Sequence, residues 1–243
     1  MAMLQDPHKS LDLTQPRRWS EVLRSAVWLY WNWPLLFVTL SAIVIVPFEL
    51  VVLVIAGTSP LGQEQSTSTA LIVGLAETAL VVPLISALQA HAVVAIGDAH
   101  SPSFGDVFGR SLRVLPVVAA AQIIAGIGEA IGIVLFVIPG IYLALRWAVV
   151  AQVAAIEETD WPTALRRSGQ LARDNYWRIF GLLIVSGVVE AVVTSIGGAV
   201  AGRKADAPAV AIGIVLVVLA RTFGALVITM LYFDLRARET VPT

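Results

Sequence analysis

Six charged residues lie within stretches of this chain that are otherwise apolar. They are Glu49, Glu77, Glu129, Arg146, Glu190 and Arg221. An ionised side chain in hydrocarbon needs a partner of opposite charge, and a carboxyl group without one holds a proton or binds a cation. The chemistry that these residue types favour is therefore ion pairing, proton exchange or cation binding.

The other reactive residue types do not form a recognisable catalytic pattern. The chain has no cysteine, which excludes disulfides and thiolate metal sites. The three histidines, His8, His91 and His100, are too scattered to suggest a metal centre. Ser186 has no nearby histidine that would activate it as a nucleophile. We therefore expect a protein that is not an enzyme and that has no cofactor and no metal site.

The composition indicates that a lipid bilayer surrounds most of the chain. Hydrophobic residues make up 58% of the sequence and charged residues 14%, with a mean hydropathy of +0.84. A helix needs roughly 20 apolar residues to cross about 30 Å of hydrocarbon. The predicted fold is all-α, a polytopic membrane protein with six transmembrane helices. They are placed at Pro34–Ala56, Ala70–Ile96, Leu115–Ile138, Ile141–Ile156, Ile179–Ala201 and Ala209–Tyr232.

Lysine and arginine are unevenly distributed between the segments that flank these helices. The loops after helices one, three and five contain only Arg203 and Lys204, whereas the other segments are rich in arginine. Positively charged segments stay on the cytoplasmic side. We therefore expect a multi-pass protein of the bacterial cytoplasmic membrane with both termini in the cytoplasm. Residues 1–15 are expected to form a flexible cytoplasmic tail, and residues 16–243 a single domain.

The segments that precede the odd-numbered spans share one pattern. Apolar residues recur at spacings of three and four, which is typical of amphipathic helices in the membrane interface. Each of the three segments has an aromatic residue followed by a serine: Trp19 and Ser25, Phe104 and Ser111, Trp161 and Ser168. This predicts three interfacial helices and three parallel repeats, 16–97, 98–158 and 159–236, about a pseudo-threefold axis. The alternative is that such segments are generally amphipathic and rich in arginine.

Arg146 is expected to pair with a glutamate in the outer half of the membrane. At about 1.5 Å per residue, Glu49, Glu77, Glu129 and Arg146 fall within roughly 10 Å of one another in depth. Glu129 is preferred, because a tight turn at Pro139-Gly140 would place its helix beside that of Arg146. Glu190 and Arg221 lie closer to the midplane.

Four glutamates against two arginines leave an excess of acid in this intramembrane cluster. One interpretation is a polar cavity, open to the outer side, that handles protons, a cation or a lipid headgroup. The other is a buried ionic knot that fixes the register of the helices. The sequence alone does not decide between them.

A second group of residues lies in the predicted cytoplasmic segments: Glu158, Ser168, Trp177, Arg178, Asp234 and Arg236. Glu158 is expected to pair with Arg166, Arg167 or an arginine of another interfacial helix, and Asp234 with Arg178 or Arg238. Such pairs would clamp the interfacial helices under the bundle. The alternative is that these arginines only set the topology.

In residues 139–181 and in the segment YFDLRAR, the chain resembles a known bacterial group. The shared positions are Pro139-Gly140-Ile141, Arg146-Trp147, Glu158, Ala164-Leu165, Ser168, Leu171, Trp177-Arg178, Tyr232, Asp234, Arg236 and Arg238. The group is the membrane domain fused to some glycerophosphoryl diester phosphodiesterases, with related six-span proteins of unknown function. The resemblance implies a membrane fold and location. It does not imply the phosphodiesterase reaction, which belongs to a separate soluble domain.

Two functions follow from these observations. The first is an accessory or scaffold module of the cytoplasmic membrane that associates with lipid. The second is a small transporter or lipid-handling protein that uses the intramembrane Glu/Arg cluster. Membrane lipids are the expected partners, with anionic headgroups at the basic interfacial helices. A net charge of −1 gives no indication of nucleic-acid binding, and a protein partner or homo-oligomer is left open.

Overall fold

The computed structural model describes residues 12–56, 67–98, 103–204 and 207–239, and these ranges contain helices and no strand. The helices are α1 (Trp19–Asn32), α2 (Pro34–Ala56), α3 (Thr67–Ala76), α4 (Val82–Gly97), α5 (Phe104–Leu135), α6 (Val137–Arg146), α7 (Val150–Ile156), α8 (Trp161–Leu171), α9 (Tyr176–Lys204) and α10 (Ala207–Glu239). A π-helical turn, Glu77–Val81, joins α3 to α4. Most of the predicted N-terminal tail, residues 1–11, lies outside the described ranges.

Within these ranges, six helical segments are long and apolar enough to cross a membrane. They are Pro34–Val54, Ile72–Gly97, Phe104–Leu135, Val137–Ile156, Tyr176–Val200 and Ala207–Glu239. The second comprises α3, the π-helical turn and α4, and the fourth comprises α6 and α7. The predicted all-α architecture with six spans is therefore confirmed.

The segment predicted as the second interfacial helix is not a separate element. Residues from Phe104 onward form the first turns of α5, which continues for 32 residues with Pro116 inside it. The other two predicted interfacial helices, α1 and α8, end before the next span begins. Trp33 leaves the helical region after α1, at φ −128° and ψ 46°. Asp174, after α8, takes a left-handed conformation at φ 64°.

The six spans pack in a cyclic order. The even-numbered spans contact one another through α4, α7 and α10. Each odd-numbered span contacts the even-numbered span of its own pair and that of the preceding pair: α2 contacts α4 and α10, α5 contacts α6, α7 and α4, and α9 contacts α10 and α6. A pseudo-threefold arrangement of three helix pairs requires this order. The boundaries of the three repeats stay a prediction.

The interfacial segments meet at one end of the bundle, which we call the basic end. It contains α1, α8, the first turns of α5 and the last turns of α10, and the opposite end is the hairpin end. The three serines of the shared pattern, Ser25, Ser111 and Ser168, are all buried. The Ser111 hydroxyl lies 2.9 Å from His91 Nδ1 and 2.8 Å from the Val107 carbonyl oxygen.

The turn between α5 and α6 lies at Phe136, not at Pro139-Gly140 as expected. Phe136 is extended, at φ −156° and ψ 126°. Pro139 falls in the first turn of α6, where a missing N–H costs no helical hydrogen bond. Gly140 allows the two helices to touch, because a Cβ there would lie 2.5 Å from the backbone nitrogen of Ile133. The close approach of α5 and α6 thus depends on glycine.

We expect Gly140→Ala to destabilise the protein by about 1–3 kcal/mol, because the added methyl group must push α6 away from the backbone of α5. The measurement is the midpoint of thermal unfolding in detergent. Gly187→Ala in α9 is the matched control, since a Cβ at Gly187 would meet no atom within 4 Å. The control should be neutral or slightly stabilising, because alanine favours helix over glycine. Equal losses in both variants would contradict the proposed packing.

Candidate functional site

Arg221 in α10 is the centre of the charged cluster in the apolar part of the bundle. Its Nη1 forms an ion pair with Glu77 Oε1, and its Nε lies 3.6 Å from Glu190 Oε1. The side chains of Arg221, Glu77 and Glu190 are 26%, 24% and 38% exposed, respectively. The Arg221 cluster, defined by these three residues and Glu49, is therefore open on one side rather than sealed in the core.

The π-helical turn in the second span positions Glu77 for this ion pair. Glu77 is the first residue of the turn, and Pro83 follows two residues after its end. Proline has no N–H and its ring collides with the carbonyl of the residue four positions earlier, here residue 79, so the α-helical bonding is interrupted at this point. The wider turn changes the direction of the side chains relative to an uninterrupted α-helix.

Glu49, the fourth member of the cluster, and Glu129 form no ion pair within the described ranges. Glu49 Oε2, on α2, is buried and has no hydrogen-bond partner in the described residues, although Glu49 lies within the electrostatic field of Arg221. Glu129 is on α5, one turn beyond Gly126, where a Cβ would lie 3.6 Å from Thr78 Cγ2. Within the described ranges, no three acidic or histidine side chains converge as a metal ion would require.

Arg146 does not join these glutamates, so the predicted pairing is wrong. Its Nη1 lies 3.1 Å from the hydroxyl oxygen of Tyr142, to which it donates a hydrogen bond. Its backbone carbonyl accepts a hydrogen bond from Ser168 Oγ at 3.1 Å. These contacts join the end of α6 to α8, at the basic end. The chain leaves the α-helix at Trp147–Val149, and this break between α6 and α7 was not visible in the hydrophobic pattern.

Asp234 in α10 is a buried carboxylate at the basic end that accepts hydrogen bonds from three residues. Its side chain is fully buried and accepts hydrogen bonds from Arg178 Nε at 2.7 Å and from Arg238 Nε at 3.1 Å. It also accepts one from the backbone N–H of Arg17 at 2.6 Å. Both predicted partners of Asp234 are thus confirmed. The aspartate ties α9, α10 and the segment before α1 together.

Arg17 completes this arrangement with its backbone and its side chain. Its carbonyl oxygen accepts hydrogen bonds from Arg178 and Arg238, and its own guanidinium donates to the carbonyl of Asp12. Burial lowers the pKa of the Arg17 guanidinium, while the nearby charge of Asp234 opposes that shift. Residues 12–18, partly assigned to a flexible tail from the sequence, are therefore held against the bundle.

Glu157, not Glu158, forms the expected ion pair with Arg167. Arg167 Nε lies 3.2 Å from Glu157 Oε2, and both its terminal nitrogens lie 2.6 Å from the carboxylate oxygens of Glu239. The hydrogen bonds with Glu239 raise the pKa of Arg167, and the charge of Glu157 adds to the shift. Glu158 is exposed and has a positive φ of 48°, which directs it out of the helix.

The remaining predicted residues of the basic end take different positions. Trp177 is 86% exposed and packs edge-on against Phe180. Arg236 is exposed on α10. Sequence reasoning missed Glu239 and Tyr142. The spacing of four residues between Tyr142 and Arg146 could have identified the tyrosine, because such residues are neighbours on a helix. No sequence signal pointed to Glu239.

A comparison with protein families adds one assignment. Residues 87–237, which include α5 to α9 and most of α4 and α10, match the model of a domain of unknown function, DUF7847. The chain belongs to this family. The DUF7847 region contains Arg146, Glu190, Arg221 and Asp234, whereas Glu49 and Glu77 precede it. No curated protein and no solved structure matches the chain.

Asp234→Asn should lower the free energy of unfolding by about 3–5 kcal/mol, because it leaves two arginines without their buried counter-charge. Unfolding of the purified protein in detergent would measure this loss. Glu239→Gln is the matched control, since it removes an exposed carboxylate of an ion pair and should cost less than about 1 kcal/mol. If the two variants unfold alike, Asp234 does not hold the basic end of the DUF7847 region together.

Proposed function

We propose that this chain is a non-enzymatic protein of the bacterial cytoplasmic membrane that binds and releases a proton at the Arg221 cluster. In this role it is a small transporter or a lipid-handling protein. The observation that carries the proposal is Oε2 of Glu49, a carboxyl oxygen that is buried and has no hydrogen-bond partner in the described residues.

The balance of charges supports proton binding. Arg146 contributes no charge to the cluster, so among the described residues Arg221 is the cation that Glu49, Glu77 and Glu190 share, and these lie on three different helical segments. The carboxylate of Glu77 compensates the positive charge of Arg221. An ionised carboxylate in a medium of low dielectric constant is costly, and a buried carboxyl group whose nearby cation is already paired with another carboxylate commonly takes up a proton instead. Glu49 is the residue to which this argument applies most directly.

The geometry supports a proton more than a divalent cation. A divalent cation needs several oxygen ligands directed to one point, and the carboxylates of the described residues do not converge in that way. The partial exposure of Glu77, Glu190 and Arg221 shows that protein does not enclose the cluster completely, as proton exchange would require. A single-turn π-helix, as at Glu77, is also frequent at functional sites.

Infrared spectroscopy of the purified protein tests the proposal, because a protonated carboxyl group has a C=O stretch separate from that of a carboxylate. We expect this band near neutral pH in the wild type and a weaker band in Glu49→Gln. Glu158→Gln, which changes an exposed glutamate, is the matched control and should keep the full intensity. Absence of the band in the wild type, or an equally strong band in Glu49→Gln, would contradict proton binding at Glu49.

An accessory or scaffold role is the second candidate, and the buried Asp234 favours it. That residue holds the segment before α1, α9 and α10 in fixed positions and leaves arginines on the surface of the basic end. A rigid surface of this kind suits the docking of a partner. The two candidates differ in the Arg221 cluster, since a scaffold needs no titrating carboxyl group there.

The proposed location places the basic end in the cytoplasm, as the distribution of arginine indicates. Because the chain has no cysteine, single cysteines report the orientation without interference. A membrane-impermeant maleimide should label Ala207→Cys, at the start of α10, in intact cells. Ser20→Cys in α1 should react only after the cells are permeabilised. The reverse labelling pattern would show that the orientation is inverted.

A further inference from the structure

Arg146 is an arginine without an acidic partner in an apolar segment. Within the described ranges, no carboxylate oxygen lies within 4 Å of its guanidinium. Its one hydrogen-bonded side chain is Tyr142, through Nη1. An arginine in a membrane segment normally pairs with an anion or with backbone carbonyl groups. The nitrogens Nε and Nη2 of Arg146 make no hydrogen bond within the described residues, and Nη2 can donate to a ligand.

The groups around Arg146 are hydrogen-bond donors as well. Tyr176 OH lies 3.5 Å from Tyr142 OH, and the two rings are 5.4 Å apart. The Tyr142 oxygen thus accepts hydrogen bonds from Arg146 and from Tyr176, which leaves its own proton without an acceptor in the described residues. The charges that act on both phenol groups are those of Arg146 and Arg173. We call Tyr142, Arg146, Arg173 and Tyr176 the Arg146 site.

A glycine in α8 makes room for the guanidinium. A Cβ at Gly169 would lie 2.9 Å from Arg146 Nε and 3.2 Å from Cζ. The neighbouring Ser168 holds the carbonyl of Arg146. Because α8 lies so close to Arg146, its contacts fix the position of the guanidinium.

The site adjoins side chains that a lipid would cover. Ile138 and Ile141 in α6 are 81% and 42% exposed, and Trp177, next to Tyr176, is 86% exposed. We propose that the Arg146 site binds the phosphate group of a membrane phospholipid. Phosphate supplies acceptor oxygens for the guanidinium groups of Arg146 and Arg173 and for the hydroxyl proton of Tyr142, and the planar guanidinium suits it well. The acyl chains then cover the exposed apolar residues.

Another group of arginines at the basic end is less suited to this role. A cavity of about 550 Å³ between the end of α4 and the start of α5 contains Arg110 and Arg113, but also Asp98 and Asp106. Its two positive charges are balanced by two negative ones. The charges that act on the tyrosines of the Arg146 site, in contrast, are both positive.

The test is native mass spectrometry of the full chain in detergent, titrated with phosphatidylglycerol and with diacylglycerol of the same acyl chains. The wild type should bind phosphatidylglycerol and not diacylglycerol. Arg146→Gln should weaken this binding by about tenfold, the usual effect of losing a charge-assisted hydrogen bond. The backbone contact with Ser168 does not require the arginine side chain, so this variant retains it.

Two further variants separate specific binding from loss of fold or of charge. Tyr142→Phe keeps the ring and removes only the hydroxyl group, and it should weaken phosphatidylglycerol binding several-fold. Arg113→Gln is the matched control, because it removes one positive charge from the same end of the bundle, and it should bind as the wild type does. Equal losses in Arg113→Gln and Arg146→Gln would overturn the proposal, as would equal binding of diacylglycerol.

Glycerol phosphate distinguishes the source of the phosphate group. This water-soluble probe should bind far more weakly than phosphatidylglycerol, since it lacks the acyl chains that cover α6. If glycerol phosphate binds as tightly and phosphatidylglycerol does not displace it, the site recognises a soluble phosphate compound, and the lipid assignment is overturned. Loss of proton binding at Glu49 would leave this proposal unaffected, because the two sites share no residue.

Discussion

A charge surrounded by hydrocarbon needs a counter-charge or a proton, and the arrangement of the bundle follows from this constraint. The counter-charges of Arg221 are Glu77 and Glu190, and these ion pairs join α9, α10 and the second span. The counter-charges of Asp234 are Arg178 and Arg238, and these ion pairs join α9 and α10 at the basic end. The long helices α9 and α10 are thus tied at two levels, and their register follows from the two sets of ion pairs.

The same constraint distinguishes structural from functional charges. Asp234 is completely satisfied, with three donors on its two oxygens, and its role is explained by the positions it fixes. In the described residues, Glu49 Oε2 has no hydrogen-bond partner and Arg146 has no acidic partner. A carboxyl group and a guanidinium in this position require opposite ligands, a proton and an anion. The two proposals therefore come from one physical argument applied at two places in the fold.

Local geometry decides where each charge points. Pro83 interrupts the second span and gives the π-helical turn that begins at Glu77. The break at Trp147–Val149 ends α6 at Arg146 and allows its side chain to lie against Gly169 of α8. Neither interruption changes the hydrophobicity of its span. A count of residues along an ideal helix therefore placed Arg146 at the depth of the glutamates, and the structure places its contacts at α8 and α9.

The sequence by itself determined the helical class and the number of spans, and it indicated the candidate partners of Asp234. The length and periodicity of an apolar run are local properties of the sequence. The thickness of the hydrocarbon core sets how long a run must be to form a transmembrane helix. The tertiary structure alone decided that Arg221 rather than Arg146 pairs with Glu77, that Glu157 replaces Glu158, and that Arg17 joins Asp234. These outcomes depend on lateral position and side-chain direction. The packing of helices that are distant in the sequence sets the lateral position and the direction of each side chain. A local sequence pattern contains no information on this packing.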